Sequence, residues 1–239
     1  VVAASSPSDC FETAIEACRI AITSMTPVVL ISDGYLATGS EPWKIPEPSA
    51  IEPIKVEKLK DAAGYQPYAR SDATLARAWV SPGAAGFEHR IGGLGKEDVT
   101  GNVSYSPEDH EHMVRIRHAK VARVAEYIPE IAVYGPRQGE LLVLGWGGTF
   151  GPIRAAVERL HRDGKAVASA HLRHLNPFPR NLADVLERYE HILIPELNLG
   201  QLAMLIRSAY NIPVATYNKV QGQPFKISEI EAEIRRLLD

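Results

Sequence analysis

The sequence predicts an α/β fold, and three observations carry that prediction. Between Gly139 and Asp239, short apolar runs alternate strictly with helical stripes. That is the pattern of a mostly parallel, three-layer sheet. Residues 1–38 show the same alternation once, as strand, helix, strand. Residues 39–138 interrupt it with an irregular excursion and a bridging helix. The expected segments are therefore 1–38, 39–138 and 139–239.

Val1 to Ala4 reads as the first strand. Asp9, with Glu12 three residues on, is capping-box-like and opens a helix with Asp9 at the N-cap. Ala14, Ile15, Cys18, Ala21 and Ile22 recur at helical spacing and predict its apolar face. Val28 to Ile31 is a short buried-strand run, and Ser32-Asp33-Gly34 turns the chain at its end. A unit this small does not stand alone and is expected to be the tail end of a larger sheet. The chain also opens on Val1 with no initiator Met, so further sequence is expected upstream.

From Gly39 to Tyr105 periodicity is lost, with Pro42, Pro46, Pro48, Pro53, Pro67 and Pro82 punctuating the chain. Structureless loops beyond about 12–15 residues are uncommon in compact domains. Trp43, Tyr65, Tyr68, Trp79 and Phe87 argue against plain disorder. The stretch is therefore expected to wrap a partner. Ser106-Pro107 then starts a long helix with Val114, Val121, Val124, Ala125 and Ile128 on one stripe, ended by Pro129.

In the last segment Leu141 to Trp146 is a strand, and Pro152 opens a helix with Ile153, Val157 and Leu160 inward. Strands follow at Ala166 to Leu172, Ile192 to Pro195 and Pro213 to Tyr217. Helical faces lie between them, at Leu182, Val185, Leu186 and Tyr189 and at Leu202, Leu205, Ile206 and Ala209. Ser228 and Glu231 form a capping box for a last helix.

The 239 residues are 45% apolar and 23% charged, ordinary for a globular protein. A net charge of -3 argues against a nucleic-acid or anionic-membrane surface. Apolar runs such as Val28 to Ile31 and Leu141 to Leu144 fall far short of the roughly 20 residues a membrane span needs. No secretory signal opens the chain. Two cysteines, Cys10 and Cys18, exclude a disulfide scaffold and an iron–sulfur cluster held by about four thiolates. A reducing cytoplasm is the default compartment.

Gly145-Trp146-Gly147-Gly148-Thr149-Phe150-Gly151 lies between a strand and a helix, where backbone N–H groups attract anions. Phe150 stands where a dinucleotide fingerprint needs Gly, so a tight turn is the stronger reading. His110 and His112 are two apart on a helix, and His171 and His174 are three apart at a strand end. Neither pair chelates well, and no metal site is expected. The cysteines sit on the apolar helix face, where packing is commoner than nucleophilic chemistry. Two loops remain as candidates. Asp33 lies at the carboxyl end of a strand, where α/β proteins place ligand sites, although from spacing alone a simple turn is the stronger reading. Glu88-His89-Arg90-Ile91-Gly92-Gly93 puts an acid, an imidazole and a guanidinium beside a flexible glycine pair. A solvated charge cluster explains that second loop about as well.

Several stretches, in order, resemble one family. They are Ser32-Asp33-Gly34-Tyr35-Leu36-Ala37, Gly39-Ser40-Glu41-Pro42-Trp43, Glu88-His89-Arg90-Ile91-Gly92-Gly93-Leu94 and Thr100-Gly101-Asn102-Val103-Ser104-Tyr105. Then come Leu144-Gly145-Trp146-Gly147, His171-Leu172-Arg173-His174-Leu175-Asn176-Pro177-Phe178-Pro179, Pro195-Glu196-Leu197-Asn198 and Tyr217-Asn218-Lys219-Val220-Gln221-Gly222. Together they resemble the α subunit of a 2-oxoacid:ferredoxin oxidoreductase, most of all the 2-oxoglutarate type, over essentially all 239 residues.

The resemblance implies that residues 1–38 end a thiamine-pyrimidine-binding domain. It makes 139–239 a transketolase C-terminal-like domain, domain II of the 2-oxoacid:ferredoxin oxidoreductases. It implies an intact complex carrying thiamine diphosphate, Mg and an iron–sulfur cluster. Its partners would be a β subunit, a second α subunit and, through the β subunit, ferredoxin, with no nucleic acid or membrane. The reaction implied is oxidative decarboxylation of a 2-oxo acid to an acyl-CoA. The glutamate that activates thiamine in the family lies upstream, so no catalytic residue, bound metal or cofactor is expected in this chain alone. His89, Arg90 and Asp33 are the substrate or interface candidates. Three other readings compete: a transketolase or 2-oxoacid dehydrogenase type, an NADP-binding oxidoreductase domain on the Gly145 turn, and a non-catalytic assembly module.

Overall fold

A computed structural model describes residues 1–239. The chain divides into two compact units. The first comprises Val1–Ile15, Val29–Lys44 and Ile128–Asp239, and the second Glu16–Val28 and Ile45–Tyr127.

The first unit is built on a five-stranded sheet. Its strands are β3 (Val133–Tyr134), β4 (Gly139–Trp146), β5 (Val167–Leu172), β6 (Tyr189–Glu196) and β7 (Ala215–Asn218), in the order β3-β5-β4-β6-β7. All pairings are parallel except that of β3, which runs antiparallel to β5 at one edge. The central strand β4 is flanked in register by Val167 and His191 against Leu141. Leu141 to Leu144 are wholly buried because both faces of the sheet are covered, which is why the sequence there is a continuous apolar run.

Helices α4 (Phe150–Arg162) and α7 (Ile227–Leu238) cover one face, packing Ile153, Val157, Leu160, Ile230 and Ile234 onto Leu141, Val143 and Leu193. Helices α5 (Leu182–Leu186) and α6 (Gln201–Tyr210) cover the other, where Leu182, Val185, Leu202 and Ile206 meet Leu142, Leu144 and Ile194. The expected three-layer, parallel-rich sheet is present. A separate two-stranded parallel pair, β1 (Val2–Ala3) with β2 (Leu30–Ile31), belongs to the same unit. Ala3 N–H donates to the Arg173 carbonyl at 2.8 Å, which ties this pair to the chain leaving β5.

The second unit is mostly irregular around helix α3 (Pro107–Arg123). Ser106 caps α3, its hydroxyl accepting the Asp109 N–H at 3.2 Å. Order elsewhere comes from isolated bridges, Lys58 with Trp79, Tyr68 with Val99 and Lys96 with Val103, and from side chains bonded to backbone. Trp79 Nε1 donates to the Ile22 carbonyl at 3.0 Å, and the buried Lys96 ammonium donates to the Gly92 and Leu94 carbonyls at 2.7 and 3.2 Å.

Several local expectations need correction. Helix α1 (Asp9–Ser24) buries Thr13, Ile20 and Ser24, whereas Cys18 is exposed. Apolar spacing misplaced that face because a threonine and a serine lie on the buried side. Asp9 is the first helical residue rather than the cap; its Oδ2 accepts from the Ser5 N–H and hydroxyl at 2.8 Å, and its Oδ1 pairs with Arg173. The strand in the Val28–Ile31 run is only Leu30–Ile31 and is half-buried. Helix α3 stops at Arg123, well before Pro129, and a short 3-10 turn over Val124–Glu126 follows. The last helix is capped at Lys226 and Glu229, two residues before the expected pair. There the Glu229 carboxylate takes the Lys226 N–H at 2.7 Å. The edge strand β3 was too short to register as a period.

The corrected face of α1 predicts opposite outcomes for two substitutions. Cys18→Ser should change stability by no more than about 0.5 kcal/mol. Ile20→Ala, at 7% exposure, should cost about 2–4 kcal/mol. Urea unfolding of the two variants checks this.

Candidate functional site

In α/β sheets, ligand crevices open at the carboxyl ends of the parallel strands. In the first unit this end is formed by the residues leaving β2, β4, β6 and β7. Two adjoining cavities lie there. One of about 190 Å³ is lined by Ile31, Asp33, Trp146, Gly147, Gly148, Thr149, Leu197 and Asn198. The other, of about 430 Å³, is lined by Asp33, Gly34, Tyr35, Thr38, Leu197, Lys219 and Gly222 to Pro224. Asp33 and Leu197 are common to both.

Asp33 starts helix α2 (Gly34–Thr38) as its N-cap, Oδ1 accepting the Leu36 N–H at 2.9 Å. Its Oδ2 accepts the Gly148 N–H at 2.9 Å. The turn after β4 is a short 3-10 segment, Gly147–Thr149, and Gly147 sits at φ +57°, a left-handed conformation that favours glycine. A Cβ on Gly148 would lie 2.3 Å from Asp33 Oδ2, so only glycine lets the carboxylate approach. The turn therefore already holds an anion, supplied by the chain itself. That answers the phosphate-cradle reading of Gly145 to Gly151: the segment is a tight turn clasped by Asp33.

Glu196, at the end of β6, is completely buried. Its Oε1 accepts from Trp146 Nε1 at 3.1 Å, Asn198 Nδ2 at 3.1 Å and the Leu202 N–H at 2.9 Å; Oε2 accepts the Ala203 N–H at 3.0 Å. The carboxylate thus sits at the N-terminus of α6, where free amides and the helix dipole favour negative charge. Asn198 Oδ1 takes the Gly200 and Gln201 N–H groups at 2.7 and 3.2 Å. Lys219, buried beyond β7, donates to both oxygens of Glu229 at 3.0 and 2.9 Å and to the Pro224 carbonyl at 3.0 Å. The ammonium holds the Glu229 carboxyl below the usual carboxylate range. These acidic and basic groups are consumed by internal bonds. The crevice offers shape, backbone and the Tyr35 hydroxyl rather than a free nucleophile and base, since the Thr38 hydroxyl donates to the Gly34 carbonyl at 2.6 Å.

Between β3, β5 and helix α4, a cavity of about 320 Å³ is lined by Tyr134, Phe150, Arg154, Ser169 and His171 among others. The Phe150 ring stands edge-on to His171 with centroids 5.1 Å apart. His171 Nε2 is buried without a hydrogen-bond partner. Burial pushes its imidazole down to about 4, against a hydrogen bond with the Gly147 backbone that favours the charged form.

His89 and Arg90 lie in the second unit and Asp33 in the first. His89 Nδ1 donates to the Phe87 carbonyl at 2.8 Å, with the Tyr65 hydroxyl 3.4 Å from the same nitrogen. Arg90 is exposed. The nearby acid Glu97 is engaged by Thr100 Oγ1 and Asn102 Nδ2, at 2.7 and 3.3 Å. The glycine pair beside Arg90 is not a loose hinge, since Lys96 holds the Gly92 carbonyl. His112 bonds Asp98 at 3.0 Å, and no group of three or more His, Cys, Asp or Glu is arranged to hold a metal ion. Sequence reading missed Glu196, Lys219 and Lys96 as organising residues. The signal for Glu196 was available: an acid ending a strand, then Asn198 and Gly200, just before a helix.

Residues 1–106 match the family model "Pyruvate flavodoxin/ferredoxin oxidoreductase, thiamine diP-bdg", and residues 139–230 match "Pyruvate:ferredoxin oxidoreductase core domain II". Over 239 residues the chain is 50% identical to 2-oxoglutarate oxidoreductase subunit KorA of Mycobacterium tuberculosis, covering 100% of this chain and 36% of that one. It is 31% identical over 253 residues to 2-oxoacid:ferredoxin oxidoreductase 2, subunit alpha, of Aeropyrum pernix, of which it covers 38%. Among solved structures it is similar to the 2-oxoglutarate:ferredoxin oxidoreductase of Magnetococcus marinus, with 2-oxoglutarate, coenzyme A and succinyl-CoA bound. The TM-score is 0.93 at 25% identity, covering 100% of this chain and 42% of that one. The chain thus spans little more than a third of the curated relatives' length.

Two tests bear on the site. Asp33→Ala and Gly148→Ala should each destabilise by about 1–3 kcal/mol, the first by orphaning the Leu36 and Gly148 amides and the second by displacing the carboxylate. The double variant should cost clearly less than their sum, because both break one clasp; additive costs in urea unfolding would show the clasp is absent. For His171, the unfolded imidazole protonates near 6.5 while the folded one resists until about 4. The unfolded state therefore binds the extra proton between these values. Stability should be full above pH 6.5 and fall toward pH 4 by on the order of 3 kcal/mol. His171→Phe should flatten that part of the unfolding profile.

Proposed function

We propose that the chain is part of an α subunit of the 2-oxoacid:ferredoxin oxidoreductase family, as two of that family's domain models and its relatives support. It is a structural and interface portion of an enzyme complex that oxidatively decarboxylates a 2-oxo acid, 2-oxoglutarate by preference, to an acyl-CoA. A β subunit, a second α subunit and ferredoxin complete the working assembly. The observation that carries the reading is the 50% identity to a 2-oxoglutarate oxidoreductase subunit along the whole chain. The site's chemistry supports it: Asp33, Glu196 and Lys219 spend their charge on holding the crevice together.

In the intact enzyme, thiamine diphosphate would supply the carbanion chemistry. The crevice residues do not fit its diphosphate, because Asp33 already occupies the Gly148 amide and would repel a second anion. No step is therefore assigned to this chain. The excursion suits a subunit interface, since Ile45, Ile91 and Tyr105 are 76%, 87% and 90% exposed. No helix is long and apolar enough to cross a membrane. The exposed Cys18 and free Cys10 suit a reducing cytoplasm.

Within this reading, His89 and Arg90 recognise carboxylates of the substrate or phosphates of coenzyme A from a subunit interface near the substrate entrance. Arg90 is exposed on a loop pinned by Lys96, so its fork is presented without internal use. The 239-residue chain alone should show no turnover with 2-oxoglutarate, coenzyme A and ferredoxin, whereas the reconstituted complex should. In that complex Arg90→Ala should lower kcat/KM for one substrate by an amount equivalent to about 2–5 kcal/mol. Constants for both substrates within about twofold of the parent would make the loop structural. Turnover by the isolated chain would overturn the role proposed for it.

A further inference from the structure

One cluster in the second unit gathers positive charge that its own contacts neutralise only in part. Arg70 and Arg77 face each other across an antiparallel bridge. Like charges directly opposed on neighbouring strands repel. Both guanidiniums also lie by the Tyr68 ring, 5.8 and 4.5 Å from its centroid. Arg70 is only 10% exposed, and its anionic partner Asp98, 3.4 Å away, is shared with His112. Arg77 gives one N–H to the Pro67 carbonyl at 3.3 Å. The field reaches Lys120, whose ammonium is held below the usual lysine range by burial and then by Arg70, Arg77 and Arg117.

The backbone is bent to create this crowding. The loop between the two arginines closes through Ser71 N–H to the Ala76 carbonyl at 2.9 Å and Leu75 N–H to the Ser71 carbonyl at 2.8 Å. Leu75 takes φ +56°, which a branched side chain rarely adopts. Strain of this kind persists where surrounding structure enforces it, often at binding sites. Beside the loop lies a cavity of about 620 Å³, lined by Lys55, Arg70, Ser71, Thr74, Arg77 and Trp79 among others. Glu57 is the single acid on its wall.

We infer that this cavity is a binding site for a small phosphate-bearing anion. The Arg77 guanidinium and the Lys55 ammonium supply charge, with Arg70 behind them, held by Asp98, the Leu75 carbonyl and the Met113 sulfur. The Ser71 and Thr74 hydroxyls supply neutral donors suited to a tetrahedral oxyanion. A bound phosphate pairs with Arg77 and Lys55 and lessens the repulsion that Asp98 leaves between Arg70 and Arg77. An acidic side chain of a partner subunit answers the same charge, but a cavity walled by arginines and hydroxyls favours the phosphate. The inference rests on the second unit alone and is independent of the reaction proposed above.

The test titrates inorganic pyrophosphate into the full 239-residue chain, by calorimetry and by thermal unfolding, with NaCl at matched ionic strength as control. Saturable one-to-one binding is expected, with a Tm that climbs with pyrophosphate and not with NaCl. Arg77→Gln should weaken binding at least about tenfold and Arg77→Lys less. In NaCl alone Arg77→Gln should unfold no earlier than the parent, since it relieves a like-charge contact. Should that variant fail to fold, Lys55→Gln, at an exposed position, should weaken binding at least about threefold. An absence of saturable heat overturns the site, as does an equal Tm rise in NaCl. So does pyrophosphate binding unchanged in both Arg77→Gln and Lys55→Gln.

Discussion

The first unit depends on a carboxylate with no access to water. Burying Glu196 as an ion is costly unless its lone pairs are met by donors in good geometry. Here the donors come from separate places: the indole of Trp146 at the end of β4, the amide of Asn198 in the next loop, and two backbone N–H groups of α6. Each has to be in place for the others to count. The same residue's carbonyl accepts the Lys219 N–H at 3.0 Å, and Lys219 reaches Glu229 on α7. One buried charge thereby sets β4, β6, β7, α6 and α7 against one another, and with them one wall of the crevice.

Asp33 applies the same logic at the opposite wall. A strand-to-helix turn rich in glycine presents amides that attract anions. In this chain the anion comes from the protein itself, and Gly148 is small so that it can approach. A motif that reads as a ligand cradle is thus a clasp between α2 and the turn before α4. The distinction lies in whether the amide is already taken, which spacing along the sequence does not reveal.

Most of the first unit was legible in the sequence for a physical reason. Strands covered on both faces must be continuous apolar runs, and covering helices must carry one apolar stripe. Leu141 to Trp146, Ile153-Val157-Leu160 and Leu202-Ile206 satisfy both demands. The second unit has no such period. Its order rests on single bridges and on side chains such as Trp79 and Lys96 that bond distant carbonyls, and these leave no repeat to read. Polar residues in buried positions caused the other misses. Thr13 and Ser24 hid the inner face of α1, and Glu196 read as an ordinary acid within a family motif rather than as an organiser. The candidate residues Asp33, His89 and Arg90 were found by chemistry, but only the structure shows that the first is spent on internal bonds and the last is not.

How each unit disposes of its charge separates structural work from work left for a partner or ligand. Evolution tolerates a buried carboxylate when every lone pair is answered, and the crevice of the first unit is answered throughout: Asp33 by two amides, Glu196 by four donors, Lys219 by a bidentate acid and a carbonyl. Groups so matched resist reorganisation and have little affinity left to give. The second unit does the reverse. Arg70 and Arg77 are placed where they repel; exposed apolar side chains do not separate the units, since Ile91 in the second and Leu199 in the first both stand in solvent. Like-charge contacts lower the stability of the chain by itself. They are sustainable when binding energy offsets them, whereas groups matched as fully as Glu196 brace the sheet from within.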